Sequence, residues 1–68
     1  MTRKISVKAY REGKWWTFEI PELGATSPST GAFVMPVGQT RAAAKVADEA
    51  RDLAALWEDA DADDFEVS

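Results

Sequence analysis

The residue types on which most catalytic and metal sites depend are missing from this chain of 68 residues. It contains no histidine and no cysteine, which excludes a Ser-His-Asp triad, a thiolate nucleophile and the commonest zinc ligands. Ser27 and Ser29 have no neighbouring base in the sequence that would activate a hydroxyl. Gly24, Gly31 and Gly38 are isolated, and no lysine completes a phosphate-binding loop around them. We therefore predict a protein that is not an enzyme and that needs no cofactor.

One acidic segment has the spacing of a metal motif. Asp59, Asp61 and Asp63 stand at the first, third and fifth positions that open an EF-hand calcium loop. The sixth position, which requires glycine, is Asp64, and the position of the bidentate glutamate would lie beyond Ser68. We interpret the segment as a solvated acidic turn and predict no metal site.

The charges are separated along the chain. The net charge is −4, from 12 acidic and 8 basic residues. Five of the basic residues fall within the first fourteen positions, and six acidic residues fall within the last eleven. Because binding to nucleic acid requires clustered lysine and arginine, the overall balance argues against it. A nucleic-acid surface, kept as an alternative, would combine Trp15 with Lys4, Lys8, Arg11 and Lys14.

Two adjacent tryptophans on a strand must point to opposite faces. Trp16 is in line with Phe18 and Ile20 and is expected in the core. Trp15 is expected to face outward, where it is either an interface anchor or incidentally exposed. Acidic residues near the end of the chain would steer the approach of a basic partner. The candidate partner-binding residues are Trp15, Asp61, Asp63 and Asp64.

Alternating apolar and polar residues predict a β-hairpin in the first third of the chain. Residues 3–11 and residues 15–20 both alternate with a period of two, and a short turn containing Gly13 joins them. Pro21 ends the second strand before a loop rich in Gly, Pro, Ser and Thr. Residues 32–37 predict a short third strand. Its inward-facing residues would be Phe33, Met35 and Val37.

A helical period follows this sheet. From about Thr40 to Glu58, apolar residues recur at spacings of three and four, with Gln39 or Thr40 in the capping region. Residues 65–67 alternate again and predict a short fourth strand. The order β-β-β-α-β predicts an α+β fold over residues 1–68, a single domain with a three-stranded antiparallel sheet and one helix packed on one face. The predicted core consists of Ile5, Val7, Trp16, Phe18, Ile20, Val46, Ala50, Leu53 and Trp57.

Three segments combine in a recognisable order. The aromatic second strand runs into Pro-Glu-Leu at residues 21–23, the helix contains Glu-Ala at residues 49–50, and acidic residues lead into the last strand at residues 63–67. Together they resemble the HicB-like antitoxin family, in its compact actinobacterial or phage-type members. The resemblance covers nearly the whole chain in order of elements, although the loop at residues 24–38 is longer and richer in proline than in the family.

The resemblance implies a fold similar to a degenerate ribonuclease-H-like domain that dimerises and masks a small RNase toxin of the HicA type. No DNA-binding segment follows the helix, so operator binding is not expected. We therefore expect a protein-binding module that neutralises a small basic RNase by direct binding. Two other functions stay open. One is a stand-alone, phage-type accessory protein with this fold and no toxin, and the other is a small nucleic-acid-binding protein.

Size and hydropathy lead to two further expectations. A chain this short buries a small core, and without disulfides or a metal it is typically stabilised by association, which predicts a homodimer. The sequence has no apolar run of the ~20 residues that a membrane span needs, and no signal peptide is recognisable at its N-terminus. We therefore expect a cytoplasmic protein that does not interact with membranes.

Overall fold

The chain folds into an α+β arrangement of short elements, described for residues 2–67 by a computed structural model. The α-helix is α1 (Val46–Glu58), and 3₁₀ turns lie at Pro21–Leu23, Ala43–Lys45 and Ala62–Asp64. The strands are β1 (Arg3–Ile5), β2 (Lys8–Glu12), β3 (Trp15–Glu19), β4 (Ala25–Thr26), β5 (Phe33–Val34), β6 (Val37–Thr40) and β7 (Phe65–Val67).

Strands β2, β3 and β6 form a three-stranded antiparallel sheet in the order β2-β3-β6, with α1 packed on β3 and β6. This confirms the predicted sheet and helix. The turn from β2 to β3 is Gly13-Lys14, and Gly13 has a φ of 62°, a left-handed conformation that glycine adopts without a Cβ clash. The central strand β3 is rich in aromatic and β-branched residues, which suit a pleated surface with neighbours on both sides.

The predicted first strand, residues 3–11, is wrong as a single element. It is divided at Ser6 and Val7 into β1 and β2, which have different partners. Strand β1 pairs in parallel with β7, whereas β2 pairs antiparallel with β3. The backbone amide of Ser6 donates a hydrogen bond to the Glu22 carboxylate, so a side chain satisfies the backbone where the strand is interrupted. Apolar and polar residues continue to alternate through Ser6 and Val7, which is why the sequence did not reveal the break between the two strands.

The third strand of the sheet begins later than predicted. Residues 33 and 34 belong to β5, which pairs with β4 in a separate two-stranded ribbon, and β6 takes the place beside β3. Pro36 is fully buried between them, and its carbonyl accepts a hydrogen bond from the Ile20 amide at 3.1 Å. The inward assignment of Phe33 and Val37 is also wrong, because these side chains are 58% and 50% exposed.

Gly38 explains why β6 takes this register. It lies directly opposite Phe18 on β3, and a Cβ at position 38 would stand 2.5 Å from the Phe18 ring. The buried phenyl ring therefore occupies the space that a side chain at position 38 would need. A glycine is required there, and it ties β6 to β3 at this point.

The helix begins later than predicted and ends where expected. A 3₁₀ turn precedes α1, which starts at Val46, and Thr40 is a buried residue of β6 and not a helix cap. After Glu58, Asp59 takes a left-handed conformation with φ of 54°, and its amide donates to the Ala55 carbonyl. Among residues 2–67, no helix has the length and apolar character that crossing a bilayer requires.

The core lies between α1, the sheet and the β1–β7 pair. Val7, Val46 and Leu53 pack against it partly buried, as members of the predicted set. The predicted residues Ile5, Phe18, Ile20 and Ala50 are confirmed, and Leu23, Ala54 and Phe65 join them from outside the predicted core set. The fully buried members are therefore Ile5, Phe18, Ile20, Leu23, Ala50, Ala54 and Phe65.

Two tryptophans predicted in the core lie outside it. Trp16 is half-buried, and its neighbour on the edge strand β2 is Arg11, which is exposed and not part of the core. Trp57 is 43% exposed, and its indole Nε1 donates a hydrogen bond of 3.0 Å to the Leu23 carbonyl. The indole of Trp57 thus links the end of α1 to the 3₁₀ turn after β3 while keeping contact with solvent.

Candidate partner-binding surfaces

The face of the sheet that points away from α1, here called the outer sheet face, is built by alternate residues of the hairpin. The pairing of β2 with β3 places Glu12 opposite Trp15, Tyr10 opposite Thr17, and Lys8 opposite Glu19. Because side chains alternate between faces, these six share one side. Phe18 and Ile20 lie on the other side, in the core.

Trp15 lies on the outer sheet face as predicted, but it is half-buried. The guanidinium of Arg41 stacks over its ring at 5.0 Å from the ring centroid, a cation–π contact. The exposed part of the indole is therefore bordered by a positive charge. A partner that covers Trp15 would contact Arg41 as well.

A cluster of hydrogen bonds centred on Thr17 lies on the same face of the sheet as Trp15. Thr17 is only 3% exposed, and its hydroxyl donates to the Glu12 carboxylate at 2.7 Å. The same hydroxyl oxygen accepts from the Gln39 side-chain amide at 3.2 Å. One side chain from each of the three strands takes part, so the outer sheet face is fixed by polar contacts as well as by the backbone ladder.

Tyr10 is a second aromatic residue of the outer sheet face, and the sequence analysis did not select it. It is 41% exposed, and its hydroxyl donates to the Glu19 carboxylate at 3.3 Å. Partial desolvation, followed by the negative charges of Glu19 and Glu12, raises the pKa of Tyr10 above the ordinary tyrosine value. The phenol therefore stays a neutral hydrogen-bond donor to a higher pH than an ordinary tyrosine. The signal for this role was its alternation with Lys8 and Glu12.

The second part of the chain is strongly acidic, whereas the first part carries a net positive charge. Residues 48–66 contain nine acidic residues and one basic residue, Arg51, for a net charge of −8. Residues 1–47 contain three acidic and seven basic residues, for a net charge of +4. The acidic surface, as we use the term, consists of the five exposed aspartates of this segment, Asp48, Asp52, Asp59, Asp61 and Asp63.

Arg51 joins the two parts of the acidic surface. Its guanidinium lies 3.6 Å from the Asp48 carboxylate on α1 and 3.4 Å from the Asp63 carboxylate after the helix. It also donates to the Ala62 carbonyl at 3.4 Å. The Asp63 side chain nevertheless remains 97% exposed, so this pair is weak and leaves the carboxylate open to solvent.

Asp61 and Asp64 have structural roles in the turn. The Asp64 carboxylate accepts a hydrogen bond from the Asp61 amide at 3.3 Å, and the Asp64 amide donates to the Asp61 carbonyl at 3.0 Å. This reciprocal arrangement fixes the 3₁₀ turn that leads into β7. Asp64 is half-buried, whereas Asp61 and Asp63 are exposed. Among residues 2–67, no three carboxylates gather in a way that would hold a metal ion.

The predicted partner-binding residues do not meet in one place. Trp15 lies on the outer sheet face, where Arg41 is its charged neighbour, whereas the segment from Asp61 to Asp64 contacts α1, which packs on the opposite face of the sheet. Sequence reasoning selected residues from two separate surfaces. A partner would contact either surface alone or both by wrapping around the molecule.

The basic residues of the nucleic-acid alternative are also dispersed. Lys4 belongs to the β1–β7 pair, opposite Glu66, and Lys8 lies opposite Glu19 in the sheet. Arg11 points to the other face of β2, and its Nε donates to the Gly13 carbonyl at 2.9 Å. Lys4 and Lys8 thus lie opposite a carboxylate on a neighbouring strand, and Lys4, Lys8 and Arg11 do not line a continuous basic surface.

A shallow groove, which the sequence analysis missed, runs between α1 and β6. Gln39 and Leu53 line it, and Leu56 is 81% exposed at its edge. One carboxylate oxygen of Glu49, on the wall of the groove, is buried without a hydrogen-bond partner in the described part of the chain. The only signal for this groove in the sequence was Leu56, an apolar residue that falls outside the apolar stripe of the helix.

Comparison of the chain with known protein families, with curated proteins and with solved structures finds no match. Any functional assignment therefore rests on the chemistry of the two surfaces.

Proposed function

We propose that this protein is a binding module that neutralises a small basic RNase by docking its acidic surface onto it, in the manner of a HicB-like antitoxin. The observation that carries the proposal is the charge of −8 on residues 48–66. The α+β fold with a three-stranded antiparallel sheet and one helix is compatible with that family. It supports the proposal at the level of fold class.

The acidic surface has the physical properties that such a role requires. Its carboxylates are exposed, and Arg51 is the one cation of residues 48–66. Concentrated charge of one sign raises the rate at which an oppositely charged protein is encountered. An RNase binds the phosphates of its substrate with basic residues, and carboxylates placed against the same residues would compete with RNA. Inhibition by direct binding then needs no chemistry from the antitoxin.

The decisive experiment is co-expression with the product of the neighbouring gene. We expect a small basic RNase to be encoded there, to be toxic alone, and to co-purify with this protein when the toxicity is relieved. If no protein co-purifies and no toxicity is relieved, the antitoxin proposal is wrong. The stand-alone accessory function then becomes the better explanation.

A substitution of Trp15 tests whether the interface extends to the outer sheet face. If the partner reaches the outer sheet face, Trp15→Ala should accelerate dissociation of the complex, as loss of a buried aromatic anchor does. An unchanged dissociation rate would restrict the interface to the acidic surface. Stopped-flow or surface-based kinetics with the co-purified partner would measure the difference.

A further inference from the structure

Strand β2 has a free edge that is suited to pairing with another strand. It is the first strand in the order β2-β3-β6, and in the described part of the chain no strand pairs with its other side. All five of its residues are exposed. An exposed strand edge presents unpaired backbone N–H and C=O groups, which makes it a template for a further strand.

The hairpin geometry determines which backbone groups are available. A two-residue turn makes Glu12 and Trp15 the hydrogen-bonded pair that closes the hairpin. Since hydrogen bonding alternates along an antiparallel strand, Lys8, Tyr10 and Glu12 direct their backbone groups towards β3. The N–H and C=O groups of Ala9 and Arg11 consequently point away from the sheet, towards the free edge.

We infer that the occupant of this edge is a second copy of the same chain, paired antiparallel to β2 about a two-fold axis at Tyr10. Ala9 then lies opposite the partner's Arg11 and exchanges both backbone hydrogen bonds with it. Lys8 lies opposite the partner's Glu12, and the symmetry produces this oppositely charged pair twice. Tyr10 faces the partner's Tyr10 in the close, non-hydrogen-bonded arrangement.

Charge complementarity selects this register among those that the backbone allows. A shift of two residues in one direction places Arg11 opposite the partner's Arg11, which brings like charges together. A shift in the other direction places Ala9 opposite the partner's Ala9 and Lys8 opposite the partner's Tyr10, so both ion pairs are lost. The symmetric register joins two sheets into one of six strands and removes both free β2 edges.

This inference is independent of the proposed function, because it uses the sheet edge and not the acidic surface. The test is a pair of charge reversals, Lys8→Glu and Glu12→Lys, studied separately and mixed. We expect the unmodified protein to sediment as a monomer–dimer equilibrium at high micromolar concentration. Each single variant converts two attractive cross-strand pairs into two repulsive ones, and should weaken dimerisation by about tenfold or more.

Mixing the two variants in equal amounts provides the matched control. In a mixed dimer, one chain carries two carboxylates on the edge and the other carries two ammonium groups, so both cross-strand pairs are attractive again. We expect dimerisation to recover in the mixture. A monomeric unmodified protein, a dimer that is unaffected by either reversal, or a mixture that stays monomeric would each overturn the inference.

A second measurement covers the case in which a reversal disturbs the hairpin itself, since Glu12 accepts a hydrogen bond from Thr17. Tyr10 is the only tyrosine of the chain, so a dityrosine cross-link formed by brief photo-oxidation of the unmodified protein must join two copies at this residue. We expect a cross-linked species of twice the 7.5 kDa chain mass with dityrosine fluorescence. A dimer in sedimentation that yields no dityrosine would contradict the two-fold axis at Tyr10.

Discussion

The sheet and the acidic surface differ in how their side chains are used. On the sheet, Thr17 is bound by Glu12 and Gln39, and Arg41 stacks on Trp15, so polar groups are engaged with one another at contact distance. On the acidic surface, Asp63 remains 97% exposed despite its ion pair with Arg51. The side chains of the two regions therefore interact over different distances. The sheet depends on register and contact, whereas the acidic surface acts through its field in solvent.

The largest expected effect separates the buried and exposed aromatic residues of β3. Phe18→Ala should cost about 3–5 kcal/mol, because the ring is 3% exposed and fills the space above Gly38. For a domain of this size that loss approaches the whole free energy of unfolding. Circular dichroism and thermal melting should show an unfolded protein. Trp16→Ala is the control and should keep a native spectrum, since Trp16 is half-buried; an unfolded Trp16→Ala would place this residue in the core.

A somewhat smaller effect tests the register of β6 against β3. Gly38→Ala should destabilise the protein by about 1–3 kcal/mol, because the new methyl group would overlap the buried ring of Phe18. Gly24→Ala is the matched control. Its new methyl group would overlap the ring of Phe33, which is exposed and can swing into solvent. Equal losses of stability in the two variants, measured by chemical denaturation, would contradict this account of the sheet.

Removing charge from the acidic surface should change the rate of association with a partner and leave the free energy of unfolding nearly unchanged. Replacing Asp61 and Asp63 of the acidic surface, together with the neighbouring Asp64, by asparagine removes three charges and keeps the side-chain oxygens that accept hydrogen bonds in the turn. We expect association with the proposed basic RNase partner to slow by about tenfold at low salt, with a smaller effect on dissociation. The difference should diminish as salt rises, since the Debye length falls from about 10 Å at 0.1 M to about 3 Å at 1 M.

A matched control for that experiment removes three charges from the first part of the chain. Glu12, Glu19 and Glu22, each replaced by glutamine, are the three acidic residues of positions 1–47. We expect their removal to leave the association rate with the same partner nearly unchanged. Similar slowing by the two triple variants would show that net charge, and not the acidic surface, governs the encounter.

The smallest expected effect is the titration of Tyr10. Its pKa is raised by partial desolvation and by the carboxylates of Glu19 and Glu12. Above the pKa of an unfolded tyrosine, the folded state therefore holds more protons than the unfolded state, and the free energy of unfolding falls as pH rises towards the folded pKa. Absorbance of tyrosinate should give a pKa above that of free tyrosine, and Glu19→Gln should lower it. An unchanged pKa in this variant would mean that Glu19 does not act on the phenol.

The elements that could be predicted from the sequence are those with a repeated local pattern. The β3 strand, the end of α1 at Glu58 and the β7 strand follow from alternation, helical spacing and the acidic lead-in, and all three lie where expected. The division of residues 3–11 was not predictable, because Ser6 and Val7 preserve the alternation while the pairing partner changes. The position of the third sheet strand was missed because residues 33–37 are more apolar than Val37–Thr40, the segment that pairs with β3.

The sequence by itself determined the chemistry available to this protein: without histidine and cysteine it offers no triad and no thiolate, and its charges are divided between two ends of the chain. Composition and order are sufficient for those conclusions. Only the tertiary structure decided that Trp15 and the acidic residues from Asp61 to Asp64 lie on separate surfaces, and that Tyr10 lies on an unpaired edge between Lys8 and Glu12. The physical reason is that the face and neighbours of a side chain depend on strand pairing between segments far apart in sequence, which local periodicity does not specify.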